Sequence, residues 1–464
     1  MKKILKWNPE FAKNLWIEFT PLRLIVLPAI LFIVVVLVYM NGDPQIKAWE
    51  NVHLAATIGF VFVGMLWGIK TASDAILDEY NERTWDWQKM SSIGPWKLAF
   101  GKLFGSTIYN WYGAMWCMLV YFVSAAFMEN TQMELKKGIL LIISMISLHG
   151  LLILTALQIV RKSDGRKKIK SNRIFIIGIF LLGIVSNVFT MVQGFSKWHG
   201  DVSWYGIKMD YWYISLITAI FYCSWIIAGL YRAMRSELQF SDTPVWWTAF
   251  IFSNFFMQMG NFVGGNTFTI GAGITVALAS TFIQLVVMIY FMALSESKDV
   301  VNFRFLLKSL KLRNYKLFFQ NVPLWIYSIP YMIIFGLLTI IIFLSIPLND
   351  KVADFLKMIK VEQNIQMLYI FIAIICFIIR DLGVLLLLNF SPKSKRADSA
   401  MIIYLLLMYS FLPIFTRNFG ISVLFYPNIV SGALPLLIIP ATEAAIIIFF
   451  LVRRWMEIEE TNPV

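Results

Sequence analysis

The chain has 464 residues, of which 59% are hydrophobic and 14% charged, with a formal net charge of +13 at pH 7. A soluble domain carries about a quarter charged residues, so this balance excludes an ordinary soluble protein and points to a polytopic helical membrane protein. The densest basic run, residues 161–173 with Arg166-Lys167-Lys168, has no interleaved aromatic residues to stack on bases, which argues against nucleic acid and for lipid headgroups as its partner.

In chain order, residues 1–21 hold Trp7, Asn8, Pro9 and several charges, so they are not a cleavable signal, and Trp7 to Pro21 read as an amphipathic lead-in. Apolar runs long enough to cross ~30 Å of hydrocarbon at ~1.5 Å per residue then recur along the chain. Twelve are expected, near 22–40, 54–72, 104–127, 139–160, 174–192, 211–231, 245–260, 269–294, 323–347, 365–389, 400–416 and 430–452. Each must be a helix, since an open strand leaves backbone polar groups unpaired in lipid, and the expected fold is all-α. With the N-terminus inside, 30 of the 40 Lys and Arg fall in cytoplasmic segments and 9 in outer loops. That bias places both termini in the cytoplasm of a multi-pass cell membrane protein.

Between the second and third runs lies a polar insert, residues 73–103. Ile76, Tyr80, Thr84 and Trp87 share one helical face there, and Asp78, Glu82 and Asp86 another. Gly94 and Pro95 break this helix, and Gly101 and Gly105, four apart, permit close helix packing. An amphipathic helix with this mixed-charge face either docks a soluble partner or lies on the membrane surface.

Further along, Cys117, Cys223 and Cys376 fall inside spans and read as small buried hydrophobes. The three His residues, His53, His149 and His199, form no metal or general-base constellation with Asp or Glu. A second polar insert, residues 295–322, places Val301, Phe305, Leu306 and Leu310 on a stripe among Arg304, Lys308, Lys311, Arg313 and Lys316. Both inserts follow the second span of a six-span group. The chain therefore reads as two parallel six-helix halves, 1–233 and 234–464, the second opening on its own lead-in from Met234 to Trp246.

Charges inside spans come last. Arg380 and Asp381 are adjacent in the tenth run, and Glu443 lies too deep in the twelfth to snorkel, so the three are candidates either for a structural network or for a transport pathway. Pro413, Pro427, Pro435 and Pro440 suggest a broken or re-entrant segment before Glu443.

The amphipathic lead-in, two spans, the Glu-rich segment into Arg83-Thr84-Trp85, then Pro95 and Gly101-Lys102 at the head of the third span resemble ABC transporter permeases of the second exporter type. The resemblance covers roughly residues 8–125, with Arg83 where that family usually has Gly, and twelve spans imply a fused form. It implies that Glu79, Glu82, Arg83, Thr84, Trp85, Asp86, Trp87, Pro95, Gly101 and Lys102 form a coupling element that meets a separate ATP-binding cassette subunit, present in two copies. It leaves Arg304, Lys308, Lys311 and Arg313 as a second coupling insert. This chain has no P-loop, because Trp96 and Leu103 occupy the positions that need Gly and Ser or Thr around Gly101-Lys102. The expected function is the permease subunit of an ATP-driven exporter, with no catalysis or cofactor of its own and with ATP and magnesium on the partner. An ion-coupled secondary transporter and a membrane-embedded lipid-modifying enzyme are the alternatives.

Overall fold

A computed structural model describes residues 7–41, 46–163, 202–241, 243–263, 270–296, 298–345, 364–391, 396–416, 424–427 and 433–461. The described residues are almost wholly helical, the exception being a short hairpin of β1 (Val202–Trp204) and β2 (Ile207–Met209). Nine of the described helical stretches are long and apolar enough to cross a membrane. Two of the expected spans, Ile108–Ala125 and Val245–Phe262, are helices of 18 residues but are not among the nine. Both are rich in Trp, Tyr, Asn or Gln, whose polar atoms lower their affinity for hydrocarbon. The expected span at 174–192, the run Arg166–Lys168 and His199 lie outside the described residues.

The chain divides into two compact units, residues 1–202 with 209–242 and residues 203–208 with 243–464. The boundary anticipated at 233/234 falls within the helix that closes the first unit, Tyr211–Glu237.

The first unit begins with α1 (Pro9–Glu18) and α2 (Pro21–Met40). Asn8 starts α1, its side chain accepting from the Phe11 amide, and Thr20 starts α2 by accepting from that of Arg23; a Pro follows each cap, where its missing N–H costs nothing. Of the twenty residues of α2 only Leu27 is buried, so this helix turns Ile25, Ile30, Phe32 and Ile33 outward, as a lipid-facing helix must. A long helix follows as α3 (Ile46–Phe60), a π-helical segment at Val61–Leu66 and α4 (Trp67–Asn81). Next come α5 (Trp85–Lys89), α6 (Pro95–Phe100), a second π-helical segment at Gly101–Gly105, and α7 (Ile108–Ala125). The unit closes with α8 (Thr131–Lys162) and α9 (Tyr211–Glu237). α8 packs along α4 and α9, and α3 along α2 and α7, around a core that includes Phe60, Ile69, Ile76, Leu98, Met145, Leu148 and Leu152.

The second unit contains α10 (Val245–Phe262), α11 (Ile270–Ser295), α12 (Val300–Lys311), α13 (Tyr315–Asn321), α14 (Leu324–Ser345) and α15 (Asn364–Asn389). It ends with α16 (Ala397–Leu406), a π-helical segment at Leu407–Phe411, α17 (Leu412–Thr416) and α18 (Ala433–Thr461). α11 packs on α14, and α15 on α18, around Phe282, Leu285, Ile289, Phe335 and Ile378. Pro435 and Pro440 both lie within the single helix α18, whereas most of the segment between α17 and α18, where a break was expected, lies outside the described residues. Pro413 sits in α17, and much of the chain around Pro427 lies outside the described residues.

Candidate functional site

The first insert forms a hairpin whose geometry is set by one turn. α4 stops at Asn81, and Arg83 adopts φ 61°, the left-handed region that favours glycine. The Thr84 amide donates to the Glu79 carbonyl at 2.8 Å and the Arg83 amide to that of Tyr80 at 3.1 Å, the paired bonds of a Schellman cap. Arg83 therefore takes up the left-handed conformation at a position where glycine would avoid the strain. The turn also corrects the expectation of one amphipathic helix with Ile76, Tyr80, Thr84 and Trp87 on a shared face. Ile76 is fully buried, whereas Thr84 and Trp87 are exposed beyond the break. Pro95 is the first residue of α6, where it initiates a helix without bending one.

After the turn, Trp85 points inward and is only 2% exposed. Its indole N–H donates to Glu237 Oε2 at 3.4 Å, and Arg161 Nε donates to Oε1 of the same carboxylate. Trp85 thereby anchors α5 to Glu237 of α9, and the ion pair on the same carboxylate ties α9 to α8.

A buried charge cluster fixes the base of the hairpin. Lys102, 1% exposed, places Nζ 2.8 Å from Glu10 Oε1 and against Glu79 Oε2. Glu79 Oε1 also accepts from Gln88 Nε2 at 2.6 Å and from Lys13 Nζ at 3.1 Å. Gln88 Nε2 further reaches Glu10 Oε2 at 3.2 Å. Two carboxylates and two ammonium groups balance, which is what lets Lys102 and Glu10 leave water. Burial pushes the Glu10 carboxyl up, but the Lys102 ammonium, with Lys13 and Asn14, outweighs it and holds the group below its ordinary value. Burial pushes the Lys13 ammonium down, but Glu10 and Glu79 outweigh that and hold it above its ordinary value.

The glycine spacing has its reason here. A Cβ on Gly101 would lie 2.7 Å from Glu10 Cβ, and one on Gly105 would lie 3.1 Å from Phe11 Cα, so α1 sits directly on this stretch. Asn8 Nδ2 adds a bond to the Lys97 carbonyl at 2.8 Å. Glu79, Trp85, Gly101 and Lys102 thus build the support, while Glu82, Arg83, Thr84, Asp86 and Trp87 form the outer surface. Trp87 is 74% and Met90 76% exposed, with Trp96 beside them in the sequence turned outward as well. Sequence reasoning missed Glu10, Lys13, Gln88, Arg161 and Glu237. The glycine pair signalled that something packs closely, but no local pattern names a partner ninety residues away.

The second insert repeats the turn. Arg313 has φ 54°, the Asn314 amide donates to the Ser309 carbonyl at 2.9 Å, and the Arg313 amide donates to that of Leu310 at 3.0 Å. Asn314 then caps α13 through the Leu317 amide at 3.2 Å. Arg304 turns back and donates to the Ile458 carbonyl at 2.7 Å, while Lys308, Lys311 and Arg313 are exposed.

Arg380, Asp381 and Glu443 come together in the second unit. Arg380 Nε donates to Asp381 Oδ1 at 2.9 Å, and one terminal nitrogen donates to Glu443 Oε2 at 2.7 Å and to the Leu424 carbonyl at 3.1 Å. Its other terminal nitrogen reaches the Tyr409 hydroxyl at 3.3 Å. Asp381, fully buried, also accepts from the hydroxyls of Tyr290 and Tyr409, each at 2.6 Å, and of Tyr404 at 3.1 Å. These tyrosines were not anticipated, because a Tyr in an apolar run reads equally well as packing. The Glu443 side chain keeps 25% exposure, against 4% for Arg380 and none for Asp381, so it is the open end of the network. Among the described residues, no group of three or more His, Cys, Asp or Glu is placed to hold a metal ion.

In comparison with known proteins, no family model matches the chain, and no curated protein or solved structure matches it.

Proposed function

We propose that this chain is the membrane-spanning permease subunit of an ATP-driven exporter, multi-pass in the cell membrane with both termini cytoplasmic. One observation supports this reading most: a hairpin keyed from behind by Lys102, Glu79, Glu10 and Trp85 presents Trp87, Met90 and Trp96 outward beside Glu82 and Asp86. Exposed Trp and Met on a braced support are what a binding anchor requires, since a rigid element loses little entropy on docking. Hydrolysis belongs to a separate ATP-binding cassette subunit, in two copies, which holds ATP and magnesium. Docking moves the permease only if it differs in free energy between the inward-open and outward-open forms, and the braced hairpin transmits that difference into α4 and α7.

The test is co-purification with the ATP-binding subunit. Trp87→Ala and Asp86→Lys should each release the partner while leaving the chain inserted; a fully active ATPase complex with both variants would reject the docking. Modification of a cysteine at the exposed Ser92 from outside intact cells would reject the orientation.

The Arg380 network favours a second reading, ion-coupled transport through Glu443. Under that reading Glu443→Gln abolishes uptake driven by an ion gradient and leaves any ATP-driven flux intact. A lipid-modifying activity has no comparable constellation behind it.

A further inference from the structure

The two hairpins share a turn but carry opposite surfaces. Between Val300 and Asn321 the second has five cations, Arg304, Lys308, Lys311, Arg313 and Lys316, and no carboxylate, whereas the first turns Glu82 and Asp86 outward. On α12 and its C-cap, Val301, Phe305, Lys308 and Leu312 follow one another at helical spacing, with Val301 69% and Leu312 70% exposed. Leu306 and Ser309, off this stripe, are buried. Tyr315 and Phe319, one turn apart on α13, are exposed too. Among the described residues, Lys308, Lys311, Arg313 and Lys316 have no ion-pair partner.

Charge and position together decide what such a face meets. α12 and α13 lie between two apolar helices that can cross a membrane, α11 ending at Ser295 and α14 beginning at Leu324, with only residues 296–299 and 322–323 as connections. The hairpin is therefore held at headgroup depth, where apolar side chains enter the acyl boundary and Lys stems reach phosphate. We infer that this face docks on the bilayer itself and binds anionic phospholipid headgroups through Lys308, Lys311, Arg313 and Lys316. The inference needs only membrane-crossing helices, so it stands or falls separately from the motor partner.

The test uses the full chain in nanodiscs of phosphatidylcholine, alone or with phosphatidylglycerol. In the unmodified protein, tryptic cleavage after Lys308, Lys311 and Lys316 should be at least tenfold slower in the anionic discs, and high salt should restore it. A spin label at Leu312, with Cys117, Cys223 and Cys376 replaced by Ala, should become oxygen-accessible and nickel-shielded in anionic discs, while a label at Trp87 stays aqueous. K308Q/K311Q/K316Q should return the Leu312 label to water, since each Lys near an anionic surface is worth about fivefold in partitioning. Equal cleavage and equal nickel access in both disc types would overturn the inference. So would shielding that appears only on adding the ATP-binding subunit, or shielding that inorganic phosphate reproduces in discs of phosphatidylcholine alone.

Discussion

Lys102 shows how much one side chain can organise. It neutralises the buried Glu10 and the half-buried Glu79, so Lys102→Met should cost about 3 to 5 kcal/mol, the usual penalty for stranding a buried charge. Thermal unfolding in detergent would show it as a large loss, and adding Glu10→Gln should recover part of that loss. The same cluster carries a pH signature. Because the folded Glu10 carboxyl titrates below its ordinary value of 4.5, its stabilisation is complete above that pH and is lost as the pH falls through the depressed value. Lys13 behaves in the opposite sense: its contribution is complete below 10.5 and fades as the pH rises through the elevated folded value. Comparing unfolding of the wild type and Glu10→Gln across the acid range should show the difference between them shrinking as the pH falls below 4.5. Arg83 offers the reverse test. Replacing it with Gly relieves a left-handed residue of ~1 kcal/mol of strain, so Arg83→Gly should unfold no lower than the wild type.

At the level of elements, the seat of α1 on the π-helical segment before α7 rests on bare backbone at Gly101 and Gly105. Gly101→Val should push Glu10, and α1 with it, away from the Gly101–Gly105 segment, at about 1 to 3 kcal/mol, and expose Asn8 and Glu10 to hydrogen exchange. An unchanged exchange rate at α1 would show that its position does not depend on that contact. Most helices were legible because an apolar run of this length has one structure open to it in lipid. The run 139–160 became Thr131–Lys162, and 211–231 became Tyr211–Glu237, the helices extending past the greasy stretch into Lys and Glu that helical propensity accepts. Periodicity failed at Arg83, because a face drawn through Ile76, Tyr80, Thr84 and Trp87 assumes that φ stays negative. No residue there announces the turn, since Arg is a good helix former. The charge cluster was legible in its Lys102 half alone, with Glu10 contributed by a separate helix.

On the scale of the whole molecule, each unit has the same device, a helix ending in a left-handed Arg followed by a short helix. Around it the sequence has diverged: the first hairpin sits on compensated buried charge, while the second has five cations and no acid. A chain built as a symmetric pair of motor docks would be expected to lose partner binding equally from either side. The surfaces described here predict instead that Trp87→Ala impairs partner binding far more than Leu312→Ala, which pull-down with the purified ATP-binding subunit measures directly.

The π-helical segment at Val61–Leu66 gives this asymmetry a mechanical side. Its carbonyls are held by neighbours, Val63 by Asn110 Nδ2 at 2.9 Å and Gly64 by His149 Nε2 at 3.0 Å, so a tilt of the helix at this segment would be borne by side chains. From Gly64 to Asn81 the helix runs on for roughly 26 Å at 1.5 Å per residue, so a tilt of ~10° at that segment displaces the hairpin by ~4 to 5 Å. A stroke of that size is about one helical turn. Under the proposed docking, such an arm would multiply a change in two hydrogen bonds deep in the bundle into a movement as large as a side chain, and would gear a push on Trp87 down into a small rotation beside Asn110 and His149.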